Sequence, residues 1–308
     1  MEIFEVICPV YNERQAIPVF VERIAKVFDG LRARYACRLL FIDNCSQDGS
    51  LDVLRELAGR FDWIEFIEMS RNFGYQVSVE CGLRNSVGDI TGVVDVDCED
   101  PPELFAEFLG LIESGYDVVY GERTDREEIL LLKLVRKLYY RLTRAAADER
   151  FLLDMAEFCV MRKSVREAVN RDATSFPFIR ASIGRVGFEI KNVPYKRNKR
   201  AVGESHYNLF GMWVFAFAGL LSSGTLWLRL PAYVFPFWFV LSCVLAWFAV
   251  VDSSRGALAL LAFFGFGFLG FVAVGLALYT ARIYKNGLQR PNYYVNIRKS
   301  LLKGRGIV

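Results

Sequence analysis

The sequence predicts an α/β domain with a mostly parallel sheet, followed by a hairpin of two membrane-spanning helices. Three observations predict it. Through the first half of the chain, short apolar runs alternate with stretches whose apolar residues recur every three or four positions. Near the C-terminus, two long runs carry no charge. Of 308 residues 53% are hydrophobic, yet the text is mixed and charged up to about residue 205 and dominated by Phe, Leu, Ala, Val and Gly beyond it. The expected division is a soluble domain at 1–205, an interfacial segment at 206–230, spans at 231–251 and 256–281, and a basic tail at 282–308.

Taken in order, "IFEVICPV" (3–10), "CRLLFID" (37–43), "WIEFIEM" (63–69), "DITGVVDVD" (89–97) and "YDVVYG" (116–121) read as buried or half-buried strands. Between them, 14–31, 50–61, 75–86 and 101–114 have helical spacing. Asn12 and Gln15 are spaced to cap the first helix reciprocally. Ligands of such sheets bind beyond the carboxyl ends of the strands. Polar residues gather at those ends: Tyr11, Asn12 and Glu13, then Asp43, then Arg71 and Asn72, then Asp95 and Asp97, then Arg123. Five consecutive strand ends supply one edge. That predicts a site.

Neither GxGxxG after the first strand nor GxxxxGK[ST] is present, so a glycine cradle for phosphate is not expected. "VVDVDCEDPPE" (93–103) suggests another device. Carboxylates at i and i+2 near a strand end share a side and repel unless a cation joins them. Hard oxygen ligands suit Mg²⁺ or Mn²⁺, with Asp95, Asp97 and Glu99 as candidate ligands on a diphosphate-bridging ion. The alternative is a solvated acidic turn in which Asp100 caps the helix starting near Pro101. The single histidine, His206, argues against a histidine metal centre or triad. Seven cysteines without a CxxC pair, mostly inside apolar segments, fit reduced buried thiols. No secretory leader is expected, because the first residues run straight into a strand-like segment.

Residues 231–251 hold no charge in 21 positions and 256–281 none in 26, each enough to cross a bilayer core. Basic residues flank both sides: Lys191, Lys196, Arg197, Lys199 and Arg200 before, and Arg282, Lys285, Arg290, Arg298, Lys299, Lys303 and Arg305 after. The positive-inside rule puts both flanks in the cytoplasm, which requires an even number of crossings. The third apolar run, 209–228, is therefore expected to lie in the interface. The amphipathic run 129–144 either lies along the membrane or packs on the sheet or a second copy. The basic tail is expected to rest on anionic headgroups.

Together, "PVYNE" (9–13), "FIDNCSQDGS" (41–50), "SRNFGYQVSVECGL" (70–83), the DxD…DPPE block, "YGER" (120–123), "DMAEFCVM" (154–161) and "YKRNKRAVGESHYNL" (195–209) resemble family 2 glycosyltransferases of the polyprenyl-phosphate group, which contains dolichol-phosphate mannose synthase and bacterial undecaprenyl-phosphate glycosyltransferases. The resemblance covers nearly the whole chain. It implies a GT-A domain and inverting transfer of a sugar from a nucleotide-diphosphate sugar, UDP-glucose for example, to undecaprenyl phosphate, with Mg²⁺ or Mn²⁺. It also implies a multi-pass bacterial inner-membrane protein with its catalytic domain in the cytoplasm, a homo-oligomer, and no nucleic-acid partner.

By position, the resemblance implies that Asp43 bonds the base, with Pro9, Tyr11, Asn12 and Glu13 around the nucleotide and Asn72 and Gln76 on the donor. Asp95 touches the donor, and Asp97 and Glu99 join it on the metal. Arg123, with Arg136 or Arg141, holds the lipid phosphate, and Arg200 closes over the pyrophosphate. Asp154 is either the base or a residue that orients Arg123. Four positions depart from the common pattern: Asn44 for Asp, Glu99 for Gln, Tyr75 for His and His206 for Lys. The first and third leave the donor sugar and base open. A different lipid acceptor, or a silent membrane scaffold, are the competing readings.

Overall fold

The computed structural model describes residues 1–124, 155–172, 177–198, 225–251 and 254–307. Its centre is a seven-stranded sheet in the order β3-β2-β1-β4-β6-β5-β7. The strands are β1 (Glu2–Val10), β2 (Tyr35–Asp43), β3 (Ile64–Glu68), β4 (Ile90–Val93), β5 (Val118–Arg123), β6 (Met155–Arg162) and β7 (Ile190–Tyr195). Only β6 runs against its neighbours, pairing antiparallel with both β4 and β5.

Helices cover both faces. On one lie α1 (Ala16–Leu31), α2 (Ser50–Arg60) and α4 (Phe105–Glu113); on the other, α3 (Tyr75–Asn85), α5 (Lys163–Asn170) and α6 (Ile179–Arg185). Strand alternation makes this possible: Phe4, Val6 and Cys8 of β1 enter the first core while Ile7 enters the second. In α1 the buried residues Ala16, Ile17, Phe20, Val21, Ile24, Phe28 and Leu31 fall at the three- and four-residue spacing read in the sequence. At Gly82 of α3 a Cβ would lie 2.3 Å from the Ile7 side chain, so glycine lets that helix sit close on β1.

Three expectations change. Strands β6 and β7 were not among the five read in the sequence. The fourth strand ends at Val93, not Asp97: after the bond from Val94 N to Ile7 O the chain leaves the sheet, which keeps Asp95 and Asp97 off the ladder. Asn12 and Gln15 do not cap α1, because the Asn12 side chain accepts from Gln47 N instead.

Two helices, α7 (Leu226–Val251) and α8 (Arg255–Gly287), are long and apolar enough to cross a membrane, and their side chains stay largely outside any protein core. They pack on each other through stacked Trp238 and Phe268 rings, 4.7 Å apart. Both exceed the spans expected from the sequence, and α7 carries Pro231 and Pro236 internally. The apolar run 209–228 falls almost wholly outside the described residues, as does the amphipathic run 129–144.

The basic tail departs from expectation. Residues 291–305 return to the sheet, with antiparallel bridges Phe66–Leu301 and Met69–Val295 along the outer edge of β3. Lys299 pairs with Glu68, and Arg305 with Glu5 and Glu65. Lys303 Nζ donates to the carbonyls of Ala58 and Phe61. Headgroup contact does not describe these three residues, because carboxylates and carbonyls of the domain already hold them.

Candidate active site

The site begins where the strand order reverses. β1 continues outward to β2, whereas β4, on its other side, leads to β5 through β7, so the carboxyl ends of β1 and β4 open a crevice. The loops leaving β1, β2 and β4 each hold a non-glycine residue at positive φ: Asn12 at 56°, Cys45 at 62° and Cys98 at 60°. Such backbone is disfavoured for L residues and persists where surroundings over-determine it. Here Asn12 N donates to Ser46 Oγ and Glu13 N to Ser50 Oγ, stapling the first loop to the second. Pro9 is buried within β1, while Tyr11 projects at 39% exposure.

Asp43 ends β2 fully buried. Its Oδ2 accepts from Ser46 N at 3.2 Å, but its buried Oδ1 makes no hydrogen bond among the described residues. Burial raises its pKa, and the Ser46 bonds oppose that. Beside it, Asn44 Nδ2 donates to Asn72 Oδ1 and Asn44 Oδ1 accepts from Phe73 N. Asn72 also receives Gly74 N, so its carbonyl oxygen shapes the loop that leads into α3. Arg71 lies over the Phe73 ring, 3.9 Å from its centroid.

At β4, Tyr75 donates to Asp95 Oδ1 at 2.7 Å. Burial, then Asp100 and Asp97, push the Asp95 carboxyl up to about 7, against the relief supplied by Tyr75 and Arg123. Asp97 Oδ1 accepts from Glu99 N. Glu99 itself is engaged by Arg197. Among the described residues no group of three or more metal-ligating side chains is assembled, so the expected trio is not gathered. Asp95 and Asp97 remain as two hard-oxygen donors, which fits an ion that takes its other ligands from phosphate and water.

Asp100 is not a helix cap. It is 1% exposed and holds Arg123, with Nη2 at 2.9 Å from Oδ2. Tyr195, ending β7, donates to Asp100 and accepts from Arg123 Nε. Burial opposes the charge on Arg123, but Asp100 and Tyr195 more than offset it and raise its pKa. Gly121 makes room for this triad, since a Cβ there would lie 2.5 Å from the Tyr195 ring. Gln76 is drawn the other way: its amide donates to Glu157 and accepts from Ile179 N, while Arg180 pairs with Glu157 at 2.7 Å.

The profile of glycosyl transferase family 2 matches residues 5–169, which span the switch point, the Asp95–Asp97 pair and Arg123. The chain belongs to glycosyltransferase family 2. It is 31% identical to the uncharacterized glycosyltransferase YkcC of Bacillus subtilis, over 95% of this chain and 93% of that protein. It is 27% identical to the bactoprenol glucosyl transferase of Shigella phage SfX, over 95% of this chain and 98% of that one. Among solved structures, glucosyl-3-phosphoglycerate synthase of Mycobacterium tuberculosis, in complex with Mn²⁺, UDP and phosphoglyceric acid, superposes with a TM-score of 0.51 at 18% identity, over 72% of this chain and 78% of that chain. This glycosyltransferase thus has the GT-A fold.

Within the glycosyltransferase, Pro9, Tyr11, Asn12, Glu13, Asp43, Asn72, Asp95, Asp97, Glu99 and Arg123 lie at or beyond the strand ends of one sheet edge. Asp154, Arg136, Arg141, Arg200 and His206 lie outside the described residues. Sequence reasoning missed Asp100, Glu157, Arg180 and Tyr195 as parts of the site. Asp100, Glu157 and Tyr195 each lie in a segment singled out in the sequence, "VVDVDCEDPPE", "DMAEFCVM" and "YKRNKR", whereas Arg180 lies in none.

Proposed function

We propose that this glycosyltransferase moves a sugar from a nucleotide-diphosphate sugar, with UDP-glucose the first candidate, to polyprenyl phosphate at a membrane surface. The observation that carries this reading is the end-to-end match to a bactoprenol glucosyl transferase, 98% of whose length the chain covers, apolar hairpin included. The site supports it with its own chemistry. Asp43 Oδ1, buried and without a hydrogen bond among the described residues, would accept an N–H from a nucleotide base. Asp95 and Asp97 are the residues that would hold Mg²⁺ or Mn²⁺, which when bound neutralises the leaving diphosphate.

Arg123, fixed by Asp100 and Tyr195, is the candidate for the acceptor phosphate. A phosphate oxygen is already ionised near neutral pH, so attack on the anomeric carbon from the face opposite the diphosphate needs positioning more than a base. That displacement inverts the anomeric configuration. Asp154 keeps its two candidate roles, base or orienting residue. Asp154 directly precedes Met155, the first residue of β6, which pairs with Glu122 of β5.

The membrane reading draws on α7 and α8. Because residues 291–305 touch the catalytic domain, the end of α8 lies on the same side of any bilayer as that domain. That contact supports an even number of crossings, as two spans require. With the basic flanks, this supports a catalytic domain on the cytoplasmic face.

The test uses the full chain in nanodiscs with undecaprenyl phosphate and Mg²⁺ or Mn²⁺. A panel of UDP- and GDP-sugars is offered, with nucleoside diphosphate release and lipid product followed by mass spectrometry. Transfer from one donor is expected. Donor binding without transfer would point to another lipid acceptor, and no nucleotide binding under any condition would overturn the reading.

A further inference from the structure

The crossing of β3 by residues 291–305 places three observations on one short segment. The first concerns charge. Glu5 on β1 and Glu65 on β3 are 0% and 3% exposed, and Arg305 donates to both carboxylates with one amino group while Nη1 donates to the Asn85 carbonyl. Two acids inside a sheet are costly to bury without a cation. Of the other cations, Arg38 reaches Glu65 alone, with Nη1 3.6 Å from Oε1 and its side chain 37% exposed, and Arg166 is committed to Ser86, Gly88 O and Thr91. The paired cation of Glu5, and the one the two acids share, thus comes from 300 residues downstream of Glu5.

The second is backbone pairing. Besides its two bridges, the segment receives Ser70 N on Tyr294 O, gives Asn296 N to Glu68 O, and offers Ser300 Oγ to Glu68 N. An edge strand with open N–H and C=O groups is thereby closed from within the same chain. The third is where those bonds lead. Ser70 begins the loop to Tyr75. On that loop the Phe73 ring meets Tyr294 at 6.4 Å between centroids, and Asn292 and Tyr293 bond Glu80 and Asn85 of α3. Asn44, Asn72 and the Asp95 partner Tyr75 are all tied to this loop or to the start of α3.

We propose that residues 291–305 are a strap that closes the β3 edge and clamps the loop Arg71–Tyr75 to the end of α8, with Arg305 as its lock and Tyr294 as the positioning residue for the nucleotide side of the site. The second half of this proposal rests on the reading of that site as a nucleotide-sugar pocket. The strap makes the membrane hairpin and the donor pocket one mechanical unit.

The experiment compares five full-length proteins in nanodiscs: wild type, Arg305→Met, Glu5→Gln/Glu65→Gln/Arg305→Met, Tyr294→Ala and Tyr294→Phe. Melting temperature, UDP affinity with Mn²⁺ and the separate KM values for donor and lipid are measured. Arg305→Met should lower Tm by about 8 °C, and the triple variant should recover most of it, because no buried acid is then left unpaired. Tyr294→Ala should weaken UDP binding roughly fivefold and raise the donor KM while the lipid KM stays put. Tyr294→Phe, which keeps the ring, should bind like wild type.

An unchanged Tm in Arg305→Met would overturn the lock. Equal UDP affinity in Tyr294→Ala and wild type, or equal losses on both KM values, would overturn the clamp. Wild type that binds no nucleotide would overturn the reading of the pocket and the clamp with it, while the Tm comparison still decides the lock by itself.

Discussion

Asp100 Oδ2 lies 2.9 Å from Arg123 Nη2, and Tyr195 bonds both residues. An acid in a turn after the DxD pair is thus the anchor of a cation at the end of β5. Arg123 cannot swing away without taking its guanidinium from a buried carboxylate, so its position is set before any substrate arrives.

Asp100→Asn therefore tests positioning. The charge partner is lost while the shape is kept, and breaking a buried pair costs about 3–5 kcal/mol in comparable cases. The lipid KM should rise and kcat/KM fall by roughly two orders of magnitude, with UDP affinity little changed. Steady-state kinetics varied separately in donor and acceptor would reveal the split.

Gly121→Ala attacks the same triad from behind. The added methyl would stand 2.5 Å from the Tyr195 ring and 3.0 Å from Phe158. Overpacking of this kind costs about 1–3 kcal/mol. The expected result is a lower Tm together with an Asp100→Asn-like rise in lipid KM, and a Tm loss alone would detach Tyr195 from function.

Asp43→Asn asks whether the buried Oδ1 serves a nucleotide base. Exchanging half of the carboxylate for an amide donor should weaken UDP binding by more than about tenfold, since an acceptor is lost and an unpaired donor gained. Calorimetry with UDP and Mn²⁺ measures this directly. Because burial raises the Asp43 pKa, ionising it costs folded-state stability, and the Asn variant should be no less stable than wild type.

The Asp95 carboxyl, raised to about 7, gives a pH dependence whose sign is fixed. For an acid with a folded pKa above its unfolded value, metal-free stability declines as pH climbs from about 4 through that value. A divalent cation must displace a proton at pH 6 but not at pH 8. The Tm increment produced by saturating Mg²⁺ should therefore be larger at pH 8, and Asp95→Asn should flatten the difference.

Much of this was legible in the sequence. The alternation from Glu2 to Glu113 and the polar residues at the strand ends located the sheet edge, because periodicity and strand-end chemistry are local signals. Partnerships were not. Asp100 reads equally well as a helix cap or a buried anchor until Tyr195, 95 positions away, is brought beside it. Asn12 looked like half of a capping pair and is instead a staple between two loops. Glu99 looked like a ligand, and Arg197 holds it. The tail read as a headgroup-binding run because charge counts register the sign of Lys299, Lys303 and Arg305 but not the acids waiting on the strands.

The strap also sets an order of events in biogenesis. A ribosome releases the sheet residues long before residues 291–305, and the two apolar helices must leave the exit tunnel in between. Until they do, β3 keeps a bare edge, and Glu5 and Glu65 lack the guanidinium they share. A nascent or misinserted chain is then an incomplete enzyme, with an open edge that chaperones and proteases can recognise. On the proposed membrane reading, the fold is completed only after α7 and α8 have been made, so the donor pocket would be finished where a lipid acceptor is at hand.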